Sequence, residues 1–259
     1  MTNVPRMLMA AAGVSSYDGI VTLGAHFAGG DPATNVHIDS LMTGLTDSKL
    51  GLLSFWFHPT ADGTSGTYVS WSGASASGSL NERTTSNKIK MSYRDASGVE
   101  RVDNTSSTAI LAASGWHHFL ESWDLAATSR NYLYIDDVDD SGGAKSDGEL
   151  SYEGGYPKFW IGGKLPHNSA GFEGDLAEFY FTTEFLDITS TSNRRKLITA
   201  GGNPADLGSD GSDVTGTQPL CYLRIAEGAL PATFGTNLGS GGAFSITGTI
   251  TAASTNPGD

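Results

Sequence analysis

Carboxylates are the side chains here most able to do chemistry, and two stretches concentrate them. Glu173-Gly174-Asp175-Leu176-Ala177-Glu178 places acids at i, i+2 and i+5. With such a set one carboxylate can attack a glycosidic carbon while another gives and takes the proton. On a regular strand Glu173 and Asp175 share a face and Glu178 falls on the other, unless a bulge intervenes. The position between the first two acids is Gly174 rather than a core-facing aliphatic, and no catalytic residue is assigned. The second stretch, Asp136-Asp137-Val138-Asp139-Asp140-Ser141-Gly142, opens like an oxygen-rich calcium loop with Asp137, Asp139 and Asp140 as candidate ligands. The twelfth position from Asp137 is Gly148, with Glu149 one place too far, so an EF-hand is excluded. A solvated acidic turn is the competing reading.

Other reactive types offer less. His117 and His118 adjoin Trp116 without a second ligand cluster at metal spacing, so packing and hydrogen bonding account for them. Cys221 is the only cysteine and lies in a strand-like run, where a buried, inert thiol is expected. No nucleophile elbow, Walker loop or dinucleotide fingerprint occurs. Tyr68, Trp71, Tyr152 and Tyr156 lie near Gly- and Ser-rich segments and could present sugar-stacking faces, although core packing explains them equally well.

Composition dictates what must hold these groups. Among 259 residues are 34 Gly, 11 Phe, 9 Tyr and 5 Trp, the balance of short strands joined by many tight turns. The 28 Asp+Glu against 15 Lys+Arg give a net charge of −13, and no basic stripe could neutralise phosphates, which argues against nucleic acid as a partner. The apolar run at residues 7–12 is shorter than a secretory signal core, and no stretch reaches bilayer-crossing length. The expectation is a protein made in the cytoplasm without membrane insertion.

Strand-like runs fall at residues 52–57, 68–71, 89–93, 109–111, 116–123, 132–135, 159–161 and 176–182, separated by Gly, Ser, Asn or Asp clusters. The first is apolar on both faces and stops at His58-Pro59, the signature of a central sandwich strand. Crossover helices are missing, so the sheets should be antiparallel. One short helix is expected over 191–199, with Ser190 or Thr191 as N-cap and Gly201-Gly202 as the stop. Residues 203–218 read as a turn-rich linker, followed by strand-like runs at 220–225 and 244–251. The fold class is all-β: an antiparallel jelly-roll β-sandwich with one short helix and a β-rich C-terminal extension. Its divisions are 1–49, N-terminal strands joining the sandwich; 50–200, the jelly roll; and 201–259, an extension that completes the sandwich or mediates assembly.

Three stretches resemble the laminin G-like branch of the concanavalin A-like superfamily: Leu52-Leu53-Ser54-Phe55-Trp56-Phe57-His58-Pro59; Gly115-Trp116-His117-His118-Phe119 with Tyr132-Leu133-Tyr134-Ile135-Asp136; and Phe159-Trp160-Ile161-Gly162-Gly163 with Phe172-Glu173-Gly174-Asp175-Leu176-Ala177-Glu178-Phe179-Tyr180. The resemblance implies a jelly roll and a non-catalytic role for the last stretch, although its acids also match the spacing in retaining β-glucanases of this superfamily. It also implies calcium at a sandwich rim, held by the Asp137 group or by Asp206, Asp210 and Asp213.

Asn203-Pro204-Ala205-Asp206-Leu207-Gly208-Ser209-Asp210-Gly211, with the small-residue runs around Thr215 to Leu220 and Phe234 to Phe244, is similar to the tails of tailed-bacteriophage virion proteins. The function expected is a non-enzymatic virion structural protein, as capsid decoration, head fibre or tail component. It would display a lectin-like domain for assembly or host attachment, with other virion proteins, its own copies or a surface glycan as partners. A free-standing carbohydrate-binding lectin domain is the alternative, and a β-glucanase-type glycosidase the third reading.

Overall fold

The computed structural model describes residues 19–30, 36–71, 78–126, 130–152, 159–163 and 171–259. Tyr156 and the apolar run at 7–12 lie outside them. The chain folds as two antiparallel layers. The first layer runs β11 (Val138–Asp139), β10 (Arg130–Ile135), β9 (His117–Asp124), β4 (Leu50–Pro59), β14 (Gly171–Thr182). Beyond β14, β2 (Ala25–Gly30) pairs with its N-terminal half and β15 (Cys221–Leu223) with its C-terminal half, and β18 (Thr251–Ala252) adds to β2.

The second layer runs β17 (Ser245–Thr247), β3 (His37–Ser40), β13 (Phe159–Ile161), β5 (Gly66–Trp71), β6 (Ser79–Arg83), β7 (Ile89–Arg94), β8 (Glu100–Thr105), β12 (Ala144–Lys145). Among the described residues one parallel pairing, Gly171 with Thr67, stitches β14 to β5 and joins the layers. β1 (Thr22–Leu23) and β16 (Ile225–Ala226) form a separate ribbon.

Alternation along the strands aims aromatics between the layers. Phe55 on β4 stacks on Phe119 and Phe179 of its own layer at 4.8 and 5.5 Å and meets Tyr68 of the other at 5.3 Å. Trp71 lies against Phe159, Trp123 and Phe181, crossing the same gap. Gly51 has no side chain because the Trp123 ring occupies that place: a Cβ there would stand 2.1 Å from a ring carbon. The first layer is apolar on its outer face too. Leu52, Leu120, Tyr134, Tyr180 and Tyr222 are covered there by Ile188, Leu197, Ala205, Leu207 and Val214. This is why the run 52–57 carries apolar residues on both faces.

Two sequence expectations are corrected. The helix at 191–199 shrinks to α1 (Thr191–Arg194), and Ser190 makes no side-chain cap. The chain leaves the helix because Leu197 and Ile198 bury into different apolar clusters and Arg194 turns to the carbonyls of Ile188 and Thr189; so short a helix has little intrinsic stability to resist this. Residues 109–111 are not a strand but a loop, held by Arg83, which donates to the Ile110 carbonyl at 2.8 Å. Among the described residues no helix is long and apolar enough to cross a membrane.

Candidate functional site

Beside that loop is a cleft of about 360 Å³, lined by residues 107–111, Ser114, His117, Ile135, Asp136 and 138–140. Local geometry builds it from two sides. Gly115, at φ +84°, turns the chain sharply into β9 and delivers His117 to the cleft wall. Across from it, Asp136 and Asp137 take φ of +51° and +64° and close the β10–β11 hairpin, a left-handed pair that aspartate tolerates better than most residues.

Asp136 then holds β9: one oxygen accepts the His118 backbone N–H at 2.8 Å, and the other accepts from His117 Nδ1 at 2.6 Å. With its Nδ1 donating, His117 presents Nε2 to the Ser114 hydroxyl at 2.7 Å. Asp140 anchors the facing loop by accepting the Ser107 and Thr108 N–H groups at 2.8 and 3.3 Å. Leu111 and Val138, 47% and 66% exposed, leave apolar surface at the mouth. The arrangement offers fixed hydrogen-bonding groups beside apolar walls, open to solvent, which is what a small polar ligand with apolar faces requires.

The sequence singled out Asp137, Asp139 and Asp140 as calcium ligands, and their side chains go to separate partners. Asp137 is taken by Arg194 Nε and Arg195 Nη2, both at 2.5 Å. Partial burial opposes its charge, but the hydrogen bonds from Arg195 and Arg194 outweigh this and hold the carboxyl below the usual range. Asp139 accepts the Ser141 N–H, and Asp140 accepts the two loop amides. Asp206 and Asp210 each cap a local turn, at Gly208 and Ser212. Among the described residues no three His, Cys, Asp or Glu side chains converge in a way that could hold a metal ion. These residues do not fit a calcium centre.

On β14 the bulge does intervene. Register against β4 shifts between Ala177 and Tyr180, with Glu178 in the left-handed region at φ +46°. The expectation that Glu178 faces away from Glu173 and Asp175 is therefore corrected: the extra residue turns its carboxylate to the outer face beside Arg224, 3.8 Å away. The three acids lie in different surroundings. Glu173 is exposed, and Asp175, 1% exposed, is held between His26 Nδ1 and His58 Nδ1 at 2.7 and 3.1 Å. Glu178 is 3% exposed, and its burial, opposed by Arg224, raises the carboxyl to about 7.

The aromatic candidates Tyr68, Trp71 and Tyr152 are core residues. His118 is buried, 4.9 Å from Trp56 and hydrogen-bonded to Ser54 at 2.8 Å, and burial lowers its pKa to about 4. His117 belongs to the cleft instead. Sequence spacing could not show that its ring meets Asp136, 19 positions away across a hairpin.

The model of the concanavalin A-like lectin/glucanases superfamily matches residues 33–187, and the chain belongs to that superfamily. Comparison with curated proteins finds no match. Among solved structures, a putative carbohydrate-binding protein from Bacteroides ovatus has a TM-score of 0.59 at 14% identity, covering 92% of this chain and 62% of its own, so the chain spans less than two thirds of that protein. A heptameric SAP-like pentraxin from Limulus polyphemus has a TM-score of 0.52 at 11% identity, covering 89% and 94%. A Ruminococcus gnavus sialidase CBM40, bound to α2,3-sialyllactose, has a TM-score of 0.50 at 11% identity, covering 65% and 94%. At these identities the likeness is one of fold, a lectin-like and carbohydrate-binding-like fold.

Proposed function

We propose that this chain is a non-enzymatic carbohydrate-binding domain whose ligand occupies the cleft between the 107–111 loop and the β10–β11 hairpin. One observation carries the reading: a solvent-open cleft in which His117, Asp136, Asp139 and Asp140 have set orientations beside exposed Leu111 and Val138. Sugars present hydroxyls on their edges and C–H faces between them, and so match fixed polar groups flanked by apolar surface. The covered Glu178 supports binding over hydrolysis, because a retaining pair needs both carboxylates at the bond being cleaved. We further propose that the domain is displayed on a bacteriophage virion for assembly or host attachment, a setting supported by the small-residue pattern of residues 203–244.

The test is a glycan array probed with the full chain and with a Leu111→Ser, Val138→Ser double variant. Binding by the parent, weakened at least about tenfold in the variant, is the expected result. Reducing-sugar release from β-glucans that disappears in Glu173→Gln would overturn the non-enzymatic reading. Mass spectrometry of purified particles tests the virion setting.

A further inference from the structure

We infer that the cleft selects sugars without negative charge and discriminates against sialylated or sulfated ones; this rests on the carbohydrate-binding reading above. The charged side chains lining the cleft are Asp136, Asp139 and Asp140, and no Lys or Arg is among its described lining residues. The cations around the lining are engaged elsewhere. Arg83, which donates to the Ile110 carbonyl, also donates to the Ala61 carbonyl and pairs with Asp62; Arg194 and Arg195 are tied to Asp137, and Lys145 donates to the backbone carbonyl of Asn131. His117 is the one lining group able to become positive, and it lies against Asp136. Whatever its protonation, three carboxylates face one imidazole and the cleft stays negative.

The hydrogen-bond inventory points the same way. A carboxylate only accepts. Asp139 gives one oxygen to the Ser141 N–H, and no hydrogen bond within the described chain engages the other. Asp140 gives each oxygen a single backbone N–H, and each oxygen keeps a further lone-pair direction. The cleft thus asks its ligand for donors. A neutral sugar brings several hydroxyls, whereas a sialic acid carboxylate or a sulfate brings more acceptors and a like charge into a partly desolvated space. The CBM40 that shares this fold is bound to α2,3-sialyllactose; no Lys or Arg is among the described residues lining this cleft to pair with such an anion.

The experiment is an array of matched oligosaccharides, neutral, sialylated and sulfated on the same core, probed with the full chain at low and at physiological salt. The expected result is binding to at least one neutral member, at least about tenfold weaker for its sialylated or sulfated partner, with the difference shrinking as salt rises. In Asp139→Asn, whose amide oxygen can still accept the Ser141 N–H, the discrimination narrows. Equal or preferential binding of the anionic members, or a ratio unchanged by Asp139→Asn, overturns the charge selectivity while leaving the carbohydrate-binding reading intact. Binding to no member of the array overturns the carbohydrate reading itself.

Discussion

Glu121 is a carboxyl group sealed between two sheets. It is 0% exposed, accepts hydrogen bonds from the Tyr93 hydroxyl and from Asn131 Nδ2, and burial, only partly offset by those bonds, raises its pKa from 4.5 to about 7. Glu178 is raised to a similar value. A carboxyl raised in the folded state favours folding most below its unfolded pKa, and that contribution is lost as pH rises through the folded value. Both acids therefore erode stability between about pH 4.5 and 7, each by on the order of 3 kcal/mol. Glu121→Gln should flatten this part of the profile and stabilise the protein at pH 8. Urea unfolding at pH 5 and pH 8 checks it, and an unchanged slope in the variant would be the contrary result. At this scale the sequence was least informative: Glu121 follows Leu120 in a strand-like run with nothing to mark it as buried, and the His117–Asp136 contact exists only once the β9 and β10 strands pair.

Elements were legible where the residue alternation was apolar enough to be seen. The β4, β5, β7, β9, β10, β13 and β14 strands each contain a run of aromatic and aliphatic residues, and each was readable from it. The β6 and β8 strands were not, because Ser79–Arg83 and Glu100–Thr105 carry mainly polar side chains and offer only Val102 to the main apolar core. Residues 109–111 misled in the other direction: Ile110 is buried from a loop, so an apolar triplet looked like a strand. The β14 bulge leaves no composition signal, since it depends on register against β4. Gly51 offers a sharp test at this scale. A methyl group there meets the Trp123 indole at 2.1 Å, so Gly51→Ala must displace that ring and should cost about 1–3 kcal/mol. Thermal denaturation with tryptophan fluorescence would report both the loss and the ring's movement; a neutral substitution would mean that the indole has room to shift.

For the whole molecule, the four strands after Gly201 all pair within this chain: β15 on β14, β16 on β1, β17 on β3 and β18 on β2. Cys221, Leu223, Ile225, Phe234, Phe244 and Ile250 from this segment are buried in the main core. Losing six such side chains removes on the order of 10 kcal/mol, comparable to the ~5–15 kcal/mol that stabilises a typical domain. A chain ending at Gly202 should lose cooperative unfolding and near-ultraviolet dichroism; a soluble, cooperatively folding truncation would refute this. Sequence reading recognised strands in the segment but not their partners, since antiparallel pairing over two hundred positions leaves no local trace.

That the last strands pair with some of the first has a consequence for synthesis. While the ribosome is still translating residues 221–252, the sides of β1, β2, β3 and β14 that these strands will cover have no partner. Open strand edges of that kind invite pairing with other chains. The nascent protein is therefore open to its neighbours until residues 221–252 leave the exit tunnel, and slow translation or crowded polysomes should favour aggregates over the native sandwich.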